Sequence, residues 1–267
     1  MKIIITILIV LIGLASPVYS ANTKSIDFEA SSTQMATITD ANQTGLGVTS
    51  DFSVQFWAKW ESLYSASSYN GLFGKFDGAN QRSYQFFMYE TGSVSKARFI
   101  LFTNSGEESF LIDFDPDLAT WYQVSITVDF TAQEYKLYID GSQQGSTQSV
   151  SGTSLNTSTA LFMMGMFAAD LVGSSKYYFD GRMDDFRFWG KALSEAEIIA
   201  NMDCQLVGDE TDLNAYWKFE DDLLDETSND NDLTNVNSAT YNADVPTLAD
   251  SCGGGLAGGT ATLISDF

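Results

Sequence analysis

Histidine is missing from all 267 residues. Hydrolases that rely on an imidazole base are thereby excluded, and so is HExxH metalloprotease chemistry, whose ligands are imidazoles. No GxxxxGK[ST] loop is present to cradle nucleotide phosphates, and no EF-hand pattern occurs. Positive charge is scarce: 13 lysines and arginines stand against 35 acids, a formal net charge of −22. Such a surface repels nucleic acid and anionic membranes, which need clustered bases. It suits cations, or solubility in salty surroundings. Past residue 20 no run of 18 apolar residues occurs, so no later segment is expected to insert into a membrane.

Only two cysteines are present, Cys204 and Cys252. The first twenty residues read as a secretory signal: Lys2, the apolar run Ile3–Leu14, then Pro17-Val18-Tyr19-Ser20 ahead of Ala21. The run is too short for a membrane span. The expectation is a secreted chain, extracellular or periplasmic, beginning at residue 21. In an oxidising compartment a Cys204–Cys252 disulfide is the default reading. It would tie a C-terminal extension back onto the domain.

What the chain has in abundance is alternation. In Trp121–Thr131, Tyr122, Val124, Ile126, Val128 and Phe130 alternate with polar residues, the mark of an antiparallel strand with one wet face. Phe52–Trp60 and Glu134–Asp140 behave similarly, and the latter runs into Asp140-Gly141, a hairpin signal. Further strands are predicted at Ser25–Phe28, Met35–Thr39, Leu72–Lys75, Tyr84–Tyr89, Arg98–Thr103, Phe110–Phe114, Leu161–Phe167, Tyr177–Trp189 (with a break near Gly181) and Ala215–Phe219. Many short strands with Gly, Asn, Asp and Ser between them predict an all-β sandwich or barrel. One helix is expected after Ser194, because Ser194 and Glu197 form a capping box flanked by the Leu193/Ile198 staple. Its predicted end is near Asn201. The three parts are therefore a signal peptide (1–20), one domain (21–245) and a tail (246–267) that includes Cys252-Gly-Gly-Gly-Leu-Ala-Gly-Gly259.

SIDFEASSTQMATI, DFSVQFWAKW, LFGKFD, WYQVSITVDF, KLYIDG, FDGRMDDFRFWGKALSEAEI and LNAYWKFEDD, in that order, resemble a laminin-G-like domain of the concanavalin A-like lectin/glucanase superfamily. The resemblance runs from about Lys24 to Val245. It implies a two-sheet antiparallel jelly-roll sandwich with one short helix. It also implies a module that is usually non-catalytic and binds glycans or proteins.

Possible sites follow. Strict alternation would put Asp184 on the face of Phe186 and Phe188, and Asp185 on the face of Arg187 and Trp189. Asp184 then reads as a buried structural acid rather than half of a catalytic pair. The resemblance implies calcium on the sandwich rim, and Asp77 and Asp170 are the nearest positional matches; solvated loop acids are the competing reading. Glu220-Asp221-Asp222 through Asp225-Glu226 lacks the Glu-x-Asp-x-x-Glu spacing of the superfamily's glucanases and reads as a polar loop. Tyr64 and Tyr69 are candidate sugar platforms, since a pyranose face packs on an aromatic ring. Trp57 reads as core of a sandwich whose faces are both covered. The expected function is non-catalytic carbohydrate binding, with protein-binding adhesion as the alternative and an unrecognised glycoside-active enzyme third.

Overall fold

The structure is a computed structural model and describes residues 21–63, 69–77, 81–91, 94–168 and 176–252. Residues 1–20, the expected signal peptide, together with Tyr64, Asp170 and the Gly-rich run after Cys252, lie outside these residues.

The chain is built from β1 (Ser25–Phe28), β2 (Met35–Ile38), β3 (Phe52–Trp60), β4 (Tyr69–Asp77), β5 (Gln81–Thr91), β6 (Val94–Thr103), β7 (Gly106–Asp113), β8 (Trp121–Asp129) and β9 (Glu134–Ile139). There follow β10 (Ser142–Ser149), β11 (Phe162–Met164), β12 (Met166–Ala168), β13 (Lys176–Tyr178), β14 (Gly181–Trp189), helix α1 (Glu195–Met202), β15 (Leu213–Trp217), β16 (Thr234–Val236) and β17 (Thr240–Asn242). An eight-stranded antiparallel sheet has the order β10-β9-β8-β3-β14-β1-β17, with β15 also paired to β14. The second sheet has the order β16-β2-β11-β4-β5-β6-β7, and β12 with β13 forms a small ribbon packed along β4.

The two sheets stack as a jelly-roll sandwich because their alternating apolar positions meet between them: Phe52 meets Tyr84 at 5.5 Å and Phe56 meets Phe73 at 5.7 Å across the gap. Within the eight-stranded sheet Phe52 stacks on Phe188 at 5.7 Å and Phe56 on Phe186 at 5.2 Å, all four rings fully buried. Offset stacking of this kind adds to the burial term. The β9–β10 turn uses Asp140 (φ 49°) and Gly141 (φ 74°), the two positive dihedrals that a type I′ hairpin requires. α1 carries the expected capping box, with the Ser194 side chain accepting from the Glu197 N–H and Glu197 accepting from the Ser194 N–H. Cys204 and Cys252 are disulfide-bonded, with Cα atoms 4.7 Å apart.

Strict alternation fails in β14. Asp184 pairs with Trp57, but the next paired residue opposite β3 is Arg187, facing Gln55, so β14 holds an extra residue. Asp185 sits at φ 52°. This bulge takes Asp184 off the face of Phe186 and Phe188, where strict alternation would put it, and leaves Asp185 beside Arg187 as expected. Asp184 shares its face with Arg187 on the outside of the sheet, while Phe186 and Phe188 point inward. Trp57 also lies outside, beneath α1, where its indole N–H donates to the Met202 carbonyl at 3.1 Å.

Candidate ligand-binding face and acidic rim

The seven-stranded sheet is apolar on both sides. Its inner face takes Tyr84, Phe86 and Met88 from β5; the residues between them, Phe87 and Tyr89, face outward with Ile100 and Phe102 of β6. An apolar outer face must be covered, and the β12–β13 ribbon covers part of it, with Met166, Tyr177 and Tyr178 packed on the cluster. At the ribbon's edge Tyr69 stacks on Tyr89 with centroids 5.1 Å apart and meets Tyr177 at 4.8 Å and Phe87 at 5.4 Å. The three tyrosines are only half-buried. They form a rigid aromatic patch of the kind that packs against sugar rings. Arg98 lies over Phe87 at 5.7 Å and Arg82 over Phe102 at 5.1 Å, so cations border the rings.

On the outer side of the eight-stranded sheet, three carboxylates converge. Asp27 of β1, Glu29 just after it and Glu61 just after β3 each bring one oxygen within 4.8 Å of the others. Arg182 spans the group: its Nε donates to Asp27 Oδ2 at 3.1 Å and its Nη2 lies 2.6 Å from Glu61 Oε1. Asp27 Oδ1 is buried with no hydrogen-bond partner. Partial burial and the nearby Asp27, Glu29 and Asp180 hold Glu61 above the usual carboxylate range, against the pull of Arg182. The residues fit a hard cation: the donors are all carboxylate, Asp27 carries a buried oxygen without a partner, and oxygens within 4.8 Å of one another can surround an ion bound at about 2.4 Å. The Ser62 hydroxyl donates to Asp180, and the Asn70 amide donates to the Ser62 carbonyl at 3.5 Å.

Three further acids are structural. Asp185 is ion-paired with Arg187 and accepts from the Tyr216 hydroxyl. Asp184 is fully buried, accepts from Asn22 at 3.0 Å, and is raised well above the carboxylate range by burial and by Asp185. Asp225 accepts from the backbone N–H groups of Tyr216, Thr227 and Asn231, which makes it the organiser of the loop read as polar. None of these three offers a solvent-facing carboxylate for glycosidic chemistry.

Of the residues singled out in the sequence, Tyr69 lies in the aromatic patch. Asp77 closes β4, and Tyr64 and Asp170 lie outside the described residues. The acidic rim escaped the sequence reading because its members are 34 positions apart and meet only when β1 and β3 flank β14. The aromatic face left a signal in Phe86-Phe87-Met88-Tyr89, an unbroken apolar run, which denotes a strand covered on both sides.

A two-sheet β-sandwich with a half-covered aromatic face has the architecture of a binding module. The family model for the concanavalin A-like lectin/glucanases superfamily (laminin-G-like) matches residues 30–199, and the chain belongs to that family. No curated protein matches the sequence. Among solved structures, a proposed carbohydrate-binding protein from Bacteroides ovatus is similar at TM-score 0.63 and 14% identity, over 89% of this chain and 64% of that one. This chain thus spans somewhat under two thirds of the Bacteroides protein. The heptameric SAP-like pentraxin of Limulus polyphemus is similar at TM-score 0.58 and 14% identity, over 87% of this chain and 98% of that one. At such identities the likeness is one of fold.

Proposed function

We propose that the protein is an exported, non-catalytic carbohydrate-binding module that packs sugar rings on the Tyr69–Tyr89–Tyr177 patch. The single observation that carries this reading is the half-buried tyrosine cluster at the edge of the β12–β13 ribbon. Tyr64, five residues before Tyr69, is proposed as a further platform. The disulfide supports an oxidising location, and among the described residues no helix is long and apolar enough to cross a membrane. Calcium is proposed at Asp27, Glu29 and Glu61, with Asp77 and Asp170 as the second candidate pair.

A glycan array with and without calcium tests the reading. The expected result is binding to polysaccharide fragments that Tyr69→Ala abolishes. Absence of any glycan binding, with capture of a surface protein instead, overturns it in favour of adhesion. Release of reducing sugar from a bound polysaccharide overturns the non-catalytic assignment.

A further inference from the structure

The residues just ahead of β1 are held by two acids that have no base of their own. Glu220 accepts from the Thr23 N–H at 2.7 Å, the Lys24 N–H at 3.2 Å and the Thr23 hydroxyl. Asn22 bridges the Asp184 carboxylate at 3.0 Å and the Pro246 carbonyl at 3.2 Å. Asp184 is fully buried, and its second oxygen, Oδ1, has no hydrogen-bond partner. Among the described residues no lysine or arginine lies within ion-pair distance of Asp184 or Glu220. The bases nearby are taken: Arg187 by Asp185, Lys24 by Asp221 and Lys218 by Glu226.

Glu220 also stands between two residues in the left-handed region, Phe219 at φ 59° and Asp221 at φ 64°. That backbone is costly for a buried phenylalanine and persists where surrounding contacts fix it. Here the contacts are the three bonds that Glu220 accepts from Thr23 and Lys24. Ala21 is exposed and directly precedes Asn22. Its nitrogen is two peptide units from that of Thr23, hence within about 10 Å of the Glu220 carboxylate, roughly one Debye length. In the uncut chain that nitrogen is an uncharged amide. Hydrolysis of the Ser20–Ala21 bond by a signal peptidase consumes one water, leaving a carboxylate on Ser20 and an amine on Ala21. An α-amine titrates near pH 8, at about 7.7–8.0, so at neutral pH it carries a positive charge.

We propose that Asp184 and Glu220 form a socket for the α-ammonium of Ala21, so that removal of the leader supplies the cation and completes the fold. Because Asn22 also binds the Pro246 carbonyl, the socket ties the start of the mature chain to the segment that Cys252 closes. The proposal rests on the export reading and is independent of the glycan reading.

The full chain, expressed with its own leader in a bacterial host, tests this. Intact mass of the exported protein should place its start at Ala21. Melting temperatures then compare that protein with two altered forms. In one, transamination with pyridoxal phosphate turns the Ala21 amine into a ketone and leaves the lysines unchanged. In the other, Gly-Ser precedes Ala21 and carries the ammonium outward. Each alteration should lower the melting temperature by about 2–4 °C. The loss should vanish in the Asp184→Asn, Glu220→Gln double variant and persist in Asp115→Asn, which removes an exposed acid after β7. Glu220→Gln alone, at a half-buried position, keeps the test open should the double variant fold poorly. Equal melting temperatures for the three N-termini, or a loss that persists in the double variant, overturn the socket. A start other than Ala21 overturns the cleavage site and the socket with it. Retention of the uncut chain inside the cell overturns the export reading itself.

Discussion

Asp185 and Arg187, two residues apart on β14, form a buried ion pair on the outside of the eight-stranded sheet. The same guanidinium donates to the carbonyls of Asn201 and Cys204, so one pair fastens the bulge to the end of α1 and to the disulfide. Asp185 also accepts from Tyr216, over whose ring Arg187 lies at 5.4 Å. The bulge in the family signature thus turns three polar side chains outward, where the C-terminal half of the chain docks on them. Asp185→Asn keeps the shape, and asparagine accepts the positive φ. It leaves a buried guanidinium without its counterion, which costs about 3 kcal/mol or more. For a chain of this size the melting temperature should fall by about 6–12 °C. Thermal circular dichroism reads this directly, and a change within noise would mean that the pair contributes nothing.

Asp184 and Glu197 should respond to pH with opposite signs. Burial and the neighbouring Asp185 raise the folded pKa of Asp184, so its ionised form is disfavoured in the fold. Its contribution therefore worsens as pH climbs above the unfolded value of about 3.9 toward the raised folded value. Glu197 is lowered from 4.5 to about 2 by Lys191 and by the Ser194 cap. Its contribution is present above pH 4.5 and is lost as pH falls toward about 2. Melting curves from pH 3 to 8 on the wild type, Asp184→Asn and Glu197→Gln separate the two. The stability of Asp184→Asn relative to wild type should rise with pH, and that of Glu197→Gln should fall. Comparing each variant with the wild type removes the general self-repulsion of the acidic surface. Parallel curves for Asp184→Asn would show that this acid is not penalised by burial.

The disulfide closes a loop of 48 residues that includes β15, β16 and β17. In the chain-entropy picture such a crosslink stabilises by about 4 kcal/mol. The paired Cys204→Ser and Cys252→Ser variant should lose a large part of this, read as a lower denaturant midpoint. Equal midpoints for the oxidised and substituted proteins would show that docking on β14 alone holds the C-terminal segment.

The sandwich was legible because one-sided burial writes itself as alternation. Phe52–Trp60 and Ser25–Phe28 were bounded to the residue, and the helix cap was readable from four letters. β10 was not, because SQQGSTQS is polar on both faces and is held by the Asp140-Gly141 turn and by pairing with β9. The bulge at Asp185 was not legible either. Nothing in Asp184-Asp185 announces an extra residue, and a single insertion reverses the facing of everything before it. Of the candidate site, Tyr69 was found from its residue type, whereas Asp27, Glu29 and Glu61 meet only through the pairing of β1 and β3 with β14, which no local window of sequence reports.

Calcium at the acidic rim is the remaining prediction. Asp27 and Glu61 each give one oxygen to Arg182, which leaves Asp27 Oδ1 buried without a donor. A divalent ion bound there would relieve that orphan and the mutual repulsion that raises Glu61. Binding to the folded state alone stabilises it by about 2.7 kcal/mol at a hundredfold excess over Kd. The melting temperature should therefore rise on adding calcium to chelated protein and fall again with EDTA. Magnesium should do less, since it demands a tighter octahedral shell. Glu61→Gln removes one ligand charge at a half-buried position and should abolish most of the calcium response. It also ends the repulsion with Asp27 and Glu29, so its melting temperature without calcium should equal or exceed that of the wild type. Asp77→Asn serves as the matched control for the other proposed pair. A calcium shift that survives Glu61→Gln and disappears in Asp77→Asn would move the ion to Asp77 and Asp170. No shift in either protein, with the metal removed and restored, would leave Arg182 as the only cation that these carboxylates hold.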